Sequence, residues 1–521
     1  MKKTSKIVVL GLLAVAGSLN AQTMYDANRL MQADLNGTAR FVGMGGAMGA
    51  LGGDLSTMGT NPAGIGIYRS HDMAVSFGFN RANSQSNLNG NVMDDGRTKG
   101  SFDNAGFVFS QKISNKGTLR YVNFGFNYQR LKSFNKQMTM GGEYLSGVSQ
   151  TDQMAAQTDG LLPTDFDGDP WSVLDIGWLS ILGWQGALTY QTSEDERKYT
   201  GFPSETLPYG DFSSTESGGI NAFDFNLAFN LLDRVYLGFT LGIYSVDYSR
   251  YTWYREGFDY TPETGDRSFY TKEDNFRTTG TGVDFKLGII ARPFDGVPLR
   301  IGAAVHTPTR YALKDVADCV LLSDLDYDLN GEVEYYDVYT PDGGSLTEYT
   351  IVTPWKYNVS LGYTVGSKLA IGAEYEFSDY STAKIKDYAG TELGEADEVL
   401  TKQFMKGVHT IRAGFEYNPL RWLAIRGGYN HVTQSMDDGA YKVIPYEGPN
   451  SVRTDTEYAN PKALNVYTAG LGFRGGMFYA DVTYQFKKQW EDFFPFDNTA
   501  LEATSVKNVR HQVLFTLGLR F

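Results

Sequence analysis

Large apolar residues alternate with polar ones at the end of the chain. From Val513 to Phe521 every second residue is apolar, while Gln512, Thr516 and Arg520 lie on the opposite face. Because successive side chains of a strand point to opposite faces, this pattern predicts a strand with one face in lipid and one face in a polar lumen. Such a strand is typical of a transmembrane β-barrel.

The same two-residue period recurs along the chain and predicts an all-β membrane protein, an antiparallel barrel of about 14 strands. The predicted strands begin near Asp72, Asp103, Arg120, Asn221, Val235, Gly282, Leu299, Trp355, Lys368, Val408, Arg421, Ala463, Met477 and Val509. Their number is even, as in single-chain bacterial barrels.

Short and long links alternate between these strands. The long ones span 81–102, 132–218, 249–277, 307–354, 381–406, 434–462 and 488–508. Short turns at one end and long loops at the other are typical of an outer-membrane barrel, whose long loops face outward. The largest loop, 132–218, is predicted to be partly helical.

The start of the chain has a different pattern. Lys2, Lys3 and Lys6 precede an apolar run at 7–16, and Ala21 supplies a small residue at the expected cleavage point. We therefore predict a signal peptide at 1–21, a plug at 22–71, where the residues do not alternate, and the barrel at 72–521. A barrel of this width needs a segment that fills its lumen.

Composition narrows the class of protein. The mean hydropathy of -0.31 excludes a helical membrane protein, whereas a barrel hides its apolar surface by alternation. The net charge is -14, and loss of the signal-peptide lysines makes it more negative, which disfavours nucleic acid as a partner. Cys319 is the single cysteine, so the sequence excludes intrachain disulfides and Cys-based metal clusters.

Charged residues at alternate positions of the predicted strands must face the lumen, because a charge facing lipid at mid-depth costs about 2 to 4 kcal/mol. These predicted lumenal charges are Asp224, Asp284, Lys286, Glu374, Glu376, Arg412, Glu416, Arg426 and Asp481. Two interpretations remain open. The charges form ion pairs that brace the plug, or some of them line a permeation path.

The plug segment carries the motifs Gly-Thr-Ala-Arg at 37–40, a Gly-rich stretch at 43–53, and Asn61, Pro62 and Ala63. With these motifs, and with the strand segments 357–363 and 467–473, the chain resembles the long-chain fatty acid outer-membrane transport family of the FadL/TodX type. The resemblance implies a monomeric barrel with an N-terminal hatch in the outer membrane of a Gram-negative bacterium. It implies passive uptake of long-chain fatty acids or similar apolar compounds, with no cofactor.

The resemblance also implies partners and a gate. The partners are a hydrophobic small molecule, outer-membrane lipid, lipopolysaccharide and the outer-membrane assembly machinery. In this family the Asn-Pro-Ala elbow meets an inward kink of a wall strand, which lets an apolar ligand leave sideways. We expect the kink in the third strand, 121–128, where Gly125 and Asn127 face inward and leave room for it.

The longest loop holds a candidate capture site. Asp169 and Pro170 resemble the start of a helix. Apolar residues then follow at helical spacing, and the capture residues are Trp171, Leu174, Trp178 and Ile181. The alternative is a lid packed against other loops.

Two further patterns indicate other chemistry only weakly. Asp326, Asp328, Asn330 and Asp337 follow much of a calcium-loop spacing, but a hydrated acidic loop is the simpler account. The five histidines show no pairing with a nucleophile, so no enzyme is predicted. Rival functions are a heme or hemin receptor using His306 or His431, an adhesion or structural barrel, and a general porin.

Overall fold

The computed structural model describes residues 22–173, 175–192, 195–204, 206–259, 266–326, 331–387, 390–391, 395–444 and 452–521. The predicted signal peptide and the capture residue Leu174 lie outside these ranges. No helix within them has both the length and the apolar composition needed to cross a membrane.

Strands make up most of the described chain, and we number them along the sequence. They are β1 (Asp72–Leu88), β2 (Asn91–Lys112), β3 (Leu119–Ser133), β4 (Lys136–Glu143), β5 (Thr189–Thr192), β6 (Asp195–Gly201), β7 (Tyr209–Leu231), β8 (Val235–Phe258), β9 (Ser268–Ala291), β10 (Leu299–His306), β11 (Arg310–Leu325), β12 (Glu334–Tyr339), β13 (Ser345–Val352), β14 (Lys356–Val365), β15 (Leu369–Asp379), β16 (Lys384–Asp387), β17 (Gly407–Leu420), β18 (Leu423–Val432), β19 (Tyr458–Gly475), β20 (Phe478–Phe494) and β21 (Thr504–Arg520).

Helices are few and short. The α-helices are α1 (Met24–Met31), α2 (Ala39–Gly43), α3 (Gln150–Thr158), α4 (Trp178–Gln185) and α5 (Glu395–Phe404). The 3-10 helices are Leu55–Gly59, Pro62–Ile67, Pro163–Phe166, Pro170–Ser172 and Tyr380–Thr382.

Fourteen of the strands close into one antiparallel barrel, so the predicted fold is confirmed. Their order around the wall is β1, β2, β3, β7, β8, β9, β10, β14, β15, β17, β18, β19, β20 and β21. The last strand returns to the first in a continuous register from Arg520 opposite Asp72 to Ser505 opposite Asn87. Closure leaves no barrel edge without hydrogen bonds in lipid.

Several barrel strands begin well before the residue predicted from the sequence. β2 begins at Asn91 instead of near Asp103, and β9 begins at Ser268 instead of near Gly282. The added residues continue the strands above the apolar belt. Because neither face contacts lipid there, the two-residue period weakens, and the prediction of loops for these residues is wrong.

The predicted loop 307–354 also contains strands. β11 pairs with β9 beyond the end of β10. β13 pairs with β11 and precedes β14 in the neighbouring position of the wall. The interruptions fall at 307–309 and 353–355, which contain Pro308 and Pro354. Each proline lacks the N–H that a ladder needs, so the strand ladder is interrupted at these two adjacent points, although Thr307 and Thr353 still donate backbone hydrogen bonds to Phe285 and Thr309.

The outward face of the barrel is a belt of large apolar side chains. Phe79, Leu287 and Leu361 are 60%, 54% and 52% exposed. In a water-soluble monomer a continuous patch of this kind would be unusual, whereas on a barrel it is the lipid-facing surface. The closed sheet and this belt define a transmembrane β-barrel.

Residues 22–71, which we call the hatch, lie inside the barrel. Local capping explains their short helices. The Thr38 side chain accepts a hydrogen bond from the Phe41 N–H at the start of α2, and the Asp54 carboxylate accepts one from the Ser56 N–H. Asn61 caps the last 3-10 helix of the hatch, with Pro62 at its first position. These caps fix the backbone that contacts the wall.

Candidate functional site

The elbow of the hatch packs against β7, β8 and β9. The Asn226 amide donates to the Pro62 carbonyl oxygen over 3.2 Å, and the Asn61 amide donates to the Ile289 carbonyl oxygen over 3.3 Å. A Cβ on Gly238 would overlap the Pro62 carbonyl, and one on Gly288 would overlap the Asn61 side chain. These two glycines are therefore needed for the close approach of the elbow to the wall.

The kink expected in the third strand is absent, so this prediction is wrong. β3 pairs without a break with β2 from Tyr121 to Gln129. A Cβ on Gly125 would overlap the Met58 side chain of the hatch, so the room left by this glycine holds Met58. Asn127 accepts a hydrogen bond of 2.8 Å from the Asn104 amide. The space at these positions is used for packing and polar pairing within an unbroken ladder.

All nine predicted lumenal charges take part in ion pairs. Lys286 lies 2.8 Å from Asp224 and 3.2 Å from Asp284. Arg412 pairs with both Glu374 and Glu376. Arg426 lies 2.7 Å from Glu416 and 2.6 Å from Asp481. Each cation thus bridges two carboxylates, which is the arrangement that buried charges require.

The hatch joins these clusters. Arg40 donates through Nε to Glu416 over 2.8 Å, and the backbone N–H of Gly49 donates to Glu374 over 2.9 Å. Asp34 lies between Lys487 and Arg510. Burial alone would raise the pKa of the Asp34 carboxyl, but these two cations hold it well below its usual range. The hatch and wall are therefore one polar network.

A cavity of about 160 Å³, which we call the chamber, lies between α1 and the wall. Its apolar lining includes Leu30, Met31, Tyr244, Tyr311 and Val408. Its polar lining includes Lys132, Asp224, Lys286, Glu376 and Arg412. The chamber reaches the interruptions of the wall, because Thr307, Thr309 and Thr353 also line it.

A second cavity of about 270 Å³ lies on the long-loop side of the chamber. Tyr25, Phe134 and Tyr248 line it. Lys132 and Lys487 line both cavities, so the two spaces meet beside α1. Neither cavity could be predicted from the sequence, because the residues that line each one come from distant segments.

A segment of the long loop 434–462 turns into the lumen above the hatch. We call residues 452–457 the strap. Arg453 of the strap is 3% exposed, and it lies 3.3 Å from Asp26 of α1. Asp455 of the strap pairs with Lys442 over 2.9 Å. The sequence prediction of an outer loop missed this contact, since nothing in its local pattern indicates burial.

In the structure, a 3-10 turn and a separate short helix take the place of the predicted capture helix. Residues Pro170–Ser172 form a 3-10 turn, and α4 begins only at Trp178, after Gly177. Asp169 makes no side-chain capping bond, so a continuous helix from Asp169 is wrong. The Trp171 ring meets Trp178 edge to face at 5.4 Å. Trp178 and Ile181 are buried, so they form no exposed groove.

The remaining candidate ligand residues are the histidines of the heme hypothesis and the residues of the calcium hypothesis. His306 Nε2 lies 2.8 Å from the Thr60 carbonyl oxygen in the lumen, whereas the His431 ring stacks on Tyr429 on the outer face. The Thr60 carbonyl thus occupies His306 Nε2, and His431 lies outside the lumen, so neither residue favours the heme hypothesis. Asp328 and Asn330 of the calcium candidate lie outside the described residues. Elsewhere in the described chain, no group of three or more His, Cys, Asp or Glu side chains could hold a metal ion.

No protein-family model and no curated protein matches this chain. Among solved structures, it is similar to a FadL homologue from Pseudomonas aeruginosa, with 13% sequence identity, a TM-score of 0.49, and coverage of 97% of this chain and 99% of that one. It is also similar to the toluene transporter TodX of P. putida, with 9% identity, coverage of 94% and 99%, and a TM-score of 0.47. It is similar as well to the toluene transporter TbuX of Ralstonia pickettii, with 13% identity, coverage of 94% of this chain and 99% of that one, and a TM-score of 0.45.

Proposed function

We propose that this protein is an outer-membrane channel for the passive uptake of hydrophobic small molecules, such as long-chain fatty acids or similar apolar compounds. The observation that carries the proposal is the chamber beside α1, with Leu30, Met31 and Val408 in its lining. Burial of an apolar ligand against such side chains is favourable by about 25 cal/mol per Å² of surface removed from water. The second cavity supplies a route toward the outer loops.

The filled lumen favours this function over a general porin. A porin needs a continuous water path, but the hatch occupies the lumen and hydrogen-bonds to the wall through Asn61 and Arg40. The nine paired lumenal charges support a bracing role. In this proposal Asn61, Pro62 and Ala63 control the contact of the hatch with β8 and β9, and movement of the elbow opens the route.

The loop layer controls entry in this proposal. Leu179 and Leu182 of α4 are fully buried in an apolar cluster that includes Tyr254 and Tyr270 of the wall. Trp171, Trp178 and Ile181 therefore belong to a lid whose opening exposes apolar surface to a ligand. Capture then requires lid movement.

The proposal also covers the location, the oligomeric state and the assembly of the protein. The chain resides in the outer membrane of a Gram-negative bacterium as a monomer, and the assembly machinery inserts it. The lipid-facing belt supports the location, since an exposed apolar surface of this extent is stable only in a bilayer.

Uptake by vesicles containing the purified protein tests this function. We expect entry of a fluorescent fatty acid to exceed that of a similar-sized sugar. Filling the chamber with Ala222→Phe or Val408→Phe should reduce fatty-acid entry several-fold. Ala222 and Val408 line the chamber, whereas Ala413 faces lipid, so Ala413→Phe is the matched control. Equal entry through empty vesicles, or unchanged entry with both filling variants, would refute the channel.

A further inference from the structure

The outer ends of β20, β21 and β1 form a regular grid on the membrane-facing surface. Trp490 lies opposite Lys507, Lys488 lies opposite Val509, and Arg81 lies opposite His511. Since neighbouring strands are about 4.8 Å apart and each residue rises about 3.4 Å, the Cα atoms of the three cations fall within about 15 Å of one another. Three positive charges thus share one small surface.

These three cations have no acidic partner among the residues that the structure describes. In the described part of the chain, none of Lys488, Lys507 and Arg81 forms an ion pair. Lys488 and Lys507 instead lie 5.5 Å and 5.9 Å from the centre of the Trp490 ring, and Arg81 donates to the Asn83 side chain over 3.0 Å. Lys286, Arg412 and Arg426 in the lumen each bridge two carboxylates, so this patch is electrostatically different from those clusters.

The patch lies directly above the apolar belt on the same three strands. In the next row toward the short turns, Tyr484 and Phe79 flank Val513. One row further, the rings of Phe77 and Phe515 stack at 5.7 Å. A molecule with a phosphate head and several acyl chains would match this order of charge and apolar surface.

We propose that Lys488, Lys507 and Arg81 bind the phosphate groups of a lipid A-type glycolipid in the outer leaflet. The proposal rests on the outer-membrane location in the proposed function. The chain as a whole is acidic, with a net charge of -14, and would repel anionic lipid in general. A local group of cations without acidic partners is therefore needed for such a lipid, and Trp490 suits the interface between head group and acyl chain.

Binding of purified lipid A to the detergent-solubilised protein tests the site. The triple variant Lys488→Gln, Lys507→Gln, Arg81→Gln should bind at least about tenfold more weakly, since each basic group near an anionic lipid contributes to the affinity. Lys112, Lys116 and Lys368 are exposed at the short-turn end of the barrel. Changing these three to Gln gives the matched control with the same change in charge, and its affinity should stay at the wild-type value.

Two further measurements separate the possible outcomes. Dephosphorylated lipid A should bind the wild type as weakly as phosphorylated lipid A binds the triple variant. Inorganic phosphate at millimolar concentration should not displace lipid A, because the acyl chains also bind. Unchanged affinity of the triple variant, or an equal loss in the control, would overturn the site and leave the cations extended into interfacial water. Fatty-acid entry into vesicles is measured separately, so failure of the channel is distinguished from failure of the lipid site.

Discussion

His71 and Phe521 exchange two backbone hydrogen bonds. The His71 N–H donates to the Phe521 carbonyl oxygen over 2.8 Å, and the Phe521 N–H donates to the His71 carbonyl oxygen over 3.1 Å. Their rings lie 5.4 Å apart. The residue before β1 and the last residue of the chain thus close the barrel at its short-turn end.

Deletion of Phe521 should impair insertion of the barrel. The loss removes the reciprocal pair with His71 and an outward ring that is 50% exposed at the membrane surface. Outer-membrane abundance and heat-modifiable gel mobility measure the effect, and both should fall. Phe521→Tyr keeps the backbone bonds and an aromatic ring, so it should assemble normally. Normal assembly of the deletion would contradict the role given to this residue.

The last strand of the barrel could be predicted from the sequence, because its pattern reflects its own contact with lipid. The strand segments beyond the membrane could not. Val513 to Phe521 contact lipid on one face, and the resulting alternation is visible in the sequence. β11 lies above the membrane beside β9. Its inward face is buried but mixes Tyr311 and Leu321 with Asp315 and Ser323, so apolar and polar residues do not alternate along it as they do in a lipid-facing strand. Only Pro308 marks the break before it.

The candidate site, too, could be predicted from the sequence only in part. Charge at alternate strand positions identified the lumenal residues, because lipid excludes such side chains. Their partners in the hatch did not follow, since Arg40 and Glu416 are far apart in sequence. The space at Gly125 was expected to hold a strand kink and instead holds Met58. Sequence shows that a glycine leaves room but does not show which group occupies it.

A side chain at Gly238 should displace the hatch. Gly238→Val would place atoms where the Pro62 carbonyl lies, so the elbow must move away from β8. We expect vesicles with this variant to leak small polar solutes while the barrel remains folded. Gly475→Val is the control, because a Cβ at Gly475 meets open space. A tight Gly238→Val barrel with wild-type fatty-acid entry would contradict the gating role of the elbow.

Loss of Arg426 should destabilise the folded barrel by about 3 to 5 kcal/mol, because removing one partner leaves a buried charge uncompensated. The Arg426 side chain is fully buried between Glu416 and Asp481, and Asp481 has no second cation among its ion pairs in the described chain. Urea unfolding in lipid vesicles would measure the change for Arg426→Met. Arg234 pairs with Asp295 at the surface, and Arg234→Met should cost no more than about 1 kcal/mol. Equal effects of the two substitutions would argue against a bracing network.

Replacement of Trp171 and Trp178 by Ser should loosen the lid. Each large apolar side chain contributes about 1.5 to 3 kcal/mol when fully buried, and the two rings pack against each other. If the opened lid captures the ligand on these two rings, their loss removes apolar contact area, so fatty-acid entry should fall more at low than at high ligand concentration. An equal loss at both concentrations, with unchanged barrel amount, would restrict these residues to a gate. Val173 is 43% exposed, so Val173→Ser serves as the control in the same loop.

Substitution of Arg453 should loosen the strap and the hatch together. Arg453 joins Asp455 of the strap to Asp26 of α1, and Asp26 also pairs with Arg29 over 3.1 Å. Arg453→Met leaves these acids without a shared cation, so both segments should open more often. Hydrogen exchange measured by mass spectrometry should therefore rise in 452–457 and in 24–31, although more than 400 residues separate Asp26 from Arg453 in the sequence.

The control for this prediction is the partly exposed Lys462, which lies 2.7 Å from Asp438 at the end of the same loop and also pairs with Asp492. Lys462→Met should leave exchange in 24–31 unchanged. Asp26→Asn alone should also raise exchange in the strap, and the double variant should add little, because both changes remove the same interaction. Faster exchange in 452–457 without any change in 24–31 would show that the strap moves alone, and the outer loops would then have no mechanical link to the hatch through Arg453.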